Sequence, residues 1–368
     1  MFLLFSFLLT YGLSESGVLT NIAGFFINNP RARKNQKVFL AYYLGSELII
    51  GSFIAPTTLF ILYFGIVHEI FRLLHFSQDN QFAKRIMVGT GLFASISCAR
   101  TPMAHTFPLM ALGYYETLTG NTISYFTYMK YSVPAGLLIA VVTYFILTIN
   151  LNNDKINIED NIVEVQGWNK KNIYSLIVFL LVVLCWILPG LNDIFKVLNI
   201  YGNVLPAIIG CILLLCINSL NIKDGLRYGV SWSSLLLCAT TLVLGAVLKM
   251  DQFGIIPTIT NLFSNHINLI LIILFTVVLT NLISNIVTTT LSFNIFVPAI
   301  IATATVNPIL ATIIIGFGAS LAYVLPSSIA HIALTAGSGY ATSKDMLKYG
   351  SIIMVISIII MGVFAYVY

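Results

Sequence analysis

Apolar residues fall along this chain in long unbroken runs, with the polar residues gathered at their ends. The runs lie near 1–27, 39–70, 86–117, 130–150, 172–194, 199–219, 231–249, 269–303, 309–340 and 349–368. A helical crossing of a bilayer takes about 20 residues, so the pattern predicts about ten membrane segments. The runs are too long for the strands of a membrane barrel and do not alternate, so the spans are predicted to be helices. The 39–70 and 269–303 runs are long enough to enter and return, either as two tight crossings or as one re-entrant hairpin each. The one sizeable polar stretch, 151–171, holds Asp154, Lys155, Glu159, Asp160, Glu164, Lys170 and Lys171. It reads as a cytoplasmic linker between a first repeat, 1–150, and a second, 172–368.

Composition fits this picture. Hydrophobic residues make up 58% of the chain and charged residues 8%, against about 25% charged in a soluble domain. Lipid is therefore the solvent, and the protein is expected to be a multi-pass protein of the cell membrane. The net charge of +5 sits almost entirely in short loops. That is an orientation signal and not a nucleic-acid surface. The five cysteines, Cys98, Cys185, Cys211, Cys216 and Cys238, lie inside apolar runs and read as small core residues. Residues 2–9 are apolar with no basic residue before them, so no cleavable signal peptide is expected.

The halves repeat. Ser52-Phe53-Ile54-Ala55-Pro56-Thr57-Thr58-Leu59 lies over Ser284-Asn285-Ile286-Val287-Thr288-Thr289-Thr290-Leu291 at an offset of 232. Upstream, Gly17, Val18, Ile22 and Asn28 fall on Gly254, Ile255, Ile259 and Asn265 at 237. Downstream, Ala104-His105 and Gly113-Tyr114 fall on Ala330-His331 and Gly339-Tyr340 at 226. Charge then predicts how the halves are related. Arg31, Arg33, Lys34 and Lys37 precede the first hairpin and Lys84 and Arg85 follow it, whereas the equivalent loops 251–268 and 304–308 hold no Lys or Arg. By the positive-inside rule the first hairpin opens on the cytoplasm and the second outside, an inverted-topology repeat typical of secondary carriers. Met1 falls on Cys238 at the upstream offset, and the helices from about Asn172 to that point have no counterpart. The expectation is that coding sequence lies upstream of Met1 or that part of the scaffold is missing.

Broken helices inside a membrane expose N–H groups that attract anions and carbonyls that hold cations. Two breaks per half are predicted. One is the hairpin tip, at Ser52–Thr58 and Ser284–Thr290. The other is the interrupted span, at Ser97–His105 and Leu325–His331. Both are rich in Ser, Thr and Pro. Within them, Thr57 and Thr288 offer hydroxyls to a solute. Arg100, near the expected break of its span, is expected to face a cavity or partner and to neutralise a bound anion, or else to form a structural ion pair or snorkel to the interface. His105 and His331 are expected to hydrogen-bond solute or titrate, or simply to be buried hydrogen-bonders. Glu47 is read either as a cation ligand or as a packing residue.

Several of these motifs resemble the divalent anion–sodium symporters, the carriers of dicarboxylates, citrate and sulfate. Ser284-Asn285-Ile286 resembles that family's Ser-Asn-Thr hairpin tip, and Val324-Leu325-Pro326 through Gly337-Ser338-Gly339-Tyr340 resembles its last broken helix. Gly229-Val230-Ser231-Trp232 through Gly254 resembles the span that leads into the second hairpin, and Ser52-Phe53-Ile54 with Thr101-Pro102 holds the matching places of the first half. The resemblance implies substrate contacts by Ser52, Ser284 and Asn285. It also implies sodium as coupling ion, with protons the alternative, the sodium held by Ser284, Asn285, Thr101 and Ser328, with no organic cofactor, and a homodimer. The chain departs from the family where Phe53 replaces Asn, where Ile54 and Ile286 replace Thr, and where Ile329-Ala330-His331-Ile332 replaces Thr-Pro-Pro-Asn. The expected function is sodium-coupled symport of a small anion by alternating access. The alternative is a non-transporting relic or regulatory membrane protein of the same fold. Enzyme chemistry is not expected, since no nucleophile–base or paired-acid constellation is present.

Overall fold

The computed structural model describes residues 2–151, 155–156, 162–165, 167–191, 204–230, 232, 235–236, 239–240, 267–304 and 306–367. Among them it is helical, without strands. Most of the predicted 231–249 span, loop 251–266 and the repeat partners Gly254, Ile255, Ile259 and Asn265 lie outside the described residues.

The 1–27 run divides at Gly17 into α1 (Phe2–Glu15) and α2 (Val18–Ile27). Gly17 has φ 79°, a left-handed conformation that glycine adopts without strain. The 39–70 run forms a helical hairpin, α3 (Gln36–Ile50) and α4 (Pro56–Leu73). The 86–117 run is broken as predicted, into α5 (Gln81–Ala99) and α6 (Thr106–Thr119). There follow α7 (Tyr125–Thr148), α8 (Lys170–Leu191) and α9 (Val204–Cys216). The order then recurs: a hairpin of α10 (Leu269–Leu282) and α11 (Asn285–Thr303), a broken helix of α12 (Pro308–Ala319) and α13 (Ala330–Ala336), and the long α14 (Ser343–Val367).

The first arms of the hairpins are short. At 15 and 14 residues, α3 and α10 rise about 21–23 Å, less than the ~30 Å hydrocarbon core. Both are capped at their outer ends by asparagine: Asn35 Oδ1 accepts from Val38 N and Asn268 Oδ1 from Leu271 N. The broken helices start alike, with Asn80 capping α5 and Asn307 capping α12.

Two long helices support the breaks. Near the centre of α7, a Cβ on Gly136 would lie 2.4 Å from Arg100 Cγ, so only glycine lets the first break come this close. In α14, a Cβ on Gly350 would lie 2.4 Å from the Tyr323 carbonyl oxygen of the second break. The outer face of α14 is apolar and exposed at Val355, Ile359 and Val363, a four-residue spacing that gives one stripe for lipid.

Packing also sorts charge. Ile156 N donates to Arg33 O (3.3 Å), and Tyr144 Oη donates to Lys37 O (3.1 Å). Lys84 Nζ pairs with Asp345 at 3.4 Å, and Arg85 stacks over Tyr349. The basic loops around 30–37, 78–85 and 339–348 thus meet on one face, together with Ile149, whose carbonyl accepts from Arg85, and Ile156. At the other end of α7, Tyr125 packs against Trp186, and loops 120–124 and 304–307 carry no Lys or Arg.

Candidate functional site

Helix starts in this protein are of two kinds. Those at the outer ends of helices, at Asn35, Asn80, Ser124, Asn268 and Asn307, are satisfied by their own cap side chains. The starts inside the apolar runs are not. Ala55 before α4, His105 before α6, Ser284 before α11 and Ile329 before α13 make no side-chain cap hydrogen bond. First-turn N–H groups are left there for another acceptor.

At the first tip and break the acceptors are occupied. Arg100 Nη2 donates to the Leu48 carbonyl and to Ser52 Oγ (2.6 Å). Thr101 Oγ1 donates to Ser52 O, and Cys98 Sγ to Ile54 O at 3.2 Å. The break itself is anchored on α7, where Tyr128 Oη donates to Ala99 O (2.9 Å) and Ser132 Oγ to Arg100 O (2.7 Å). Of the predicted residues, Ser52, Arg100 and Thr101 therefore converge, while Thr57 lies exposed on the first turn of α4. His105 is buried, its ring 4.4 Å from that of Phe107. Its Nδ1 has no hydrogen-bond partner, and neither has Ser6 Oγ. Both residues line a cavity of about 40 Å³ between α1, Ala55 and the break, roomy enough for ordered water.

The second tip is built differently. Here the hairpin reaches for the break. Thr280 Oγ1 donates to Ala319 O (2.6 Å), and Asn281 Nδ2 donates to Leu321 O (3.0 Å). Asn281 Oδ1 accepts from Tyr323 N (2.7 Å) and Val324 N (3.0 Å). Below this joint, Asn285 is 1% exposed and Thr288 fully buried. Both amide atoms of Asn285 and the hydroxyl of Thr288 have no hydrogen-bond partner. One turn apart, they share a helix face. Ser284 itself is exposed, and Ser328 bonds within its own loop, to Leu325 O at 2.6 Å.

His331 sits at the second position of α13, whereas His105 is the N-cap of α6; the two are not equivalent in the helices they begin. Ser95 Oγ lies 2.7 Å from Ala322 O and 2.8 Å from His331 Nε2. A hydroxyl has one proton, and a carbonyl can only accept. When Ser95 donates to Ala322, His331 Nε2–H donates to Ser95 and the bare Nδ1 faces no partner.

Asn281 and Ser95 were not expected from the sequence, although each joins an element to a break. The offset of 232 places Asn281 over Ile49, so duplication, the signal that exposed the tips, passes over it.

The described residues thus bring together two short-armed helical hairpins and two broken helices, with unpaired polar groups buried at the second tip. The family model described as the sodium:sulfate symporter transmembrane region matches residues 1–368. The chain belongs to this family. Similar proteins include an uncharacterized transporter of Methanocaldococcus jannaschii, 26% identical over 305 residues. That match takes in 80% of this chain and 66% of the relative. An uncharacterized transporter of Haemophilus influenzae is 26% identical over 212 residues, 54% of this chain and 46% of that one. The chain thus spans less than two thirds of the length of either. The crystal structure of the Alcanivorax borkumensis YdaH transporter, described as having an unusual topology, aligns with a TM-score of 0.60 at 15% identity. It covers 98% of this chain and 84% of that one, and shows the shared fold.

Proposed function

We propose that this chain is a secondary active transporter that carries a small anion, a dicarboxylate, citrate or sulfate, together with sodium by alternating access. One observation carries the reading: Asn285 and Thr288 are buried and unpartnered beneath the uncapped start of α11. Buried polar groups are normally satisfied, and one left open marks a place for a ligand. An amide that both donates and accepts can touch an anion's oxygens and a cation together, and the free N–H groups of α11 add attraction for negative charge. Ser284, at the same tip, is assigned to both solute and sodium. Ser52, Thr57, His105 and His331 complete the solute side, with Thr101 and Ser328 behind the tips.

Several features support inverted repeats with the linker 151–171 between them. The order of elements recurs, Asn caps recur at equivalent helix starts, and the basic loops share one face, which the positive-inside rule assigns to the cytoplasm. Alternating access then follows from hairpins that open to opposite sides. The cell membrane and a homodimer belong to the same reading.

Uptake of labelled succinate, citrate and sulfate into proteoliposomes, with and without a sodium gradient, tests it. Sodium-stimulated uptake of at least one is expected. If the full chain moves none of them, the reading fails and the non-transporting alternative takes its place.

A further inference from the structure

A sodium-coupled carrier of this architecture is expected to hold a cation at each tip and break. The residues of the first pair do not fit one. A helix that stops inside a membrane frees its last carbonyls, and these are the natural ligands of a bare cation. At the first tip the carbonyls of Leu48, Ser52 and Ile54 already accept from Arg100, Thr101 and Cys98 respectively. Ser52 Oγ accepts from Arg100 at 2.6 Å and donates to Leu48 O at 3.1 Å, while Glu47, one residue before Leu48, is fully buried with neither carboxylate oxygen hydrogen-bonded.

Arg100 is 6% exposed. Among the described residues the ion pairs are Glu69–Arg72 and Lys84–Asp345, and neither involves it. Its Nη2 is thus held as a bound metal ion would be, by a main-chain carbonyl and a hydroxyl, while its Nε has no hydrogen-bond partner. Its stem lies against Gly136 and its carbonyl is fixed by Ser132, so the group is held in place from both sides. A second cation among the same oxygens would meet a fixed positive charge and would compete with these hydrogen bonds for the carbonyl and hydroxyl oxygens. The second tip contrasts in charge and in its open amide: no Lys or Arg lies in 281–291 or 320–331, and the Asn285 amide has no partner.

We propose that the Arg100 guanidinium is a built-in cation at the first tip, so that this chain binds no sodium there and any coupling ion is held at the second tip. The inference rests on the carrier reading above for the role of the tips.

The test is a count of radiolabelled sodium bound per chain, measured on the purified full-length protein in nanodiscs with no anion present. Wild type is expected to bind one ion or none. Arg100→Ala removes the charge and returns the acceptors, and it is expected to bind one ion more than wild type. Sodium should then raise its thermal midpoint relative to choline by more than it does for wild type. Arg100→Lys keeps a cation and is expected to hold the wild-type count. Two ions on wild type overturn the proposal, whether or not Arg100→Ala folds. A folded Arg100→Ala with an unchanged count overturns it too. The two readings fail separately. Loss of all anion uptake with these counts obtained removes the carrier assignment alone, while sodium-stimulated uptake with two ions on wild type removes the built-in cation alone.

Discussion

Asn281 and Asn285 lie on opposite sides of the second tip, one near the end of α10 and the other at the start of α11, yet they do opposite work. Asn281 spends both ends of its amide on the break, donating to Leu321 O and accepting from Tyr323 N and Val324 N. Asn285 has neither end engaged. Asn285→Ala should weaken anion binding by about 1–3 kcal/mol, the size of a buried hydrogen-bond loss, while leaving the thermal midpoint of the solute-free protein nearly unchanged. Asn281→Ala should do the reverse first, lowering that midpoint through the loss of bonds worth about 1 kcal/mol each. Equal stability loss in both variants would remove the distinction. Of these residues, the sequence made Asn285 and Arg100 legible, one as a polar residue in a duplicated tip and the other as a charge in an apolar run. It could not show what Arg100 touches, because a main-chain carbonyl such as that of Leu48 leaves no mark in the order of side chains. Nothing in the order of residues sets Ser95 apart from Thr90 and Ser97 on the same apolar helix.

At the scale of helices, caps divide the molecule into ends that are finished and ends that are left open. Asn307→Ala takes a cap from α12 at its outer end and should cost about 1 kcal/mol of stability without changing anion affinity. Calorimetry with and without anion separates the two quantities, and a change in affinity would contradict the division. Gly350→Ala is a harsher case. The added Cβ meets the Tyr323 carbonyl, backbone that cannot swing aside as a side chain would. A loss of about 1–3 kcal/mol from overpacking is expected, together with displacement of the second break and reduced anion uptake. A variant with wild-type stability and uptake would show that α14 does not hold the break. The hairpins were legible as runs too long for one crossing and the breaks as Ser/Thr/Pro clusters. The positions of the helix starts were less so: residues 53–55 intervene between Ser52 and α4, whereas Ser284 directly precedes α11. The matched serines therefore stand at different distances from the helices they introduce.

Over the whole molecule, the loop charges predict one set of sides for every helix. Single cysteines at Arg33, Lys84 and Lys155 should react with an impermeant reagent from the cytoplasmic side, and those at Asn121 and Val306 from the outside. Both sets reacting from one side would end the inverted-repeat reading. That charge asymmetry was legible because it is written in loop composition; the cross-packing of the halves was not, since contacts between distant apolar helices have no local signature. Phe60 of α4 packs near His331 of α13 at 6.3 Å between rings, and Ser95 of α5 bonds the second break. In the other direction, Tyr114 of α6 meets Phe293 and Thr290 of α11. Each hairpin thus leans on a helix encoded on the far side of the linker. A gene cut within 151–171 and expressed as two pieces should yield carrier only when both are made together, since either piece alone exposes the surface meant for the other. By the same interlock, an enlarged side chain at Thr290 should be rescued by a smaller one at Tyr114, so the two halves are bound to change in step.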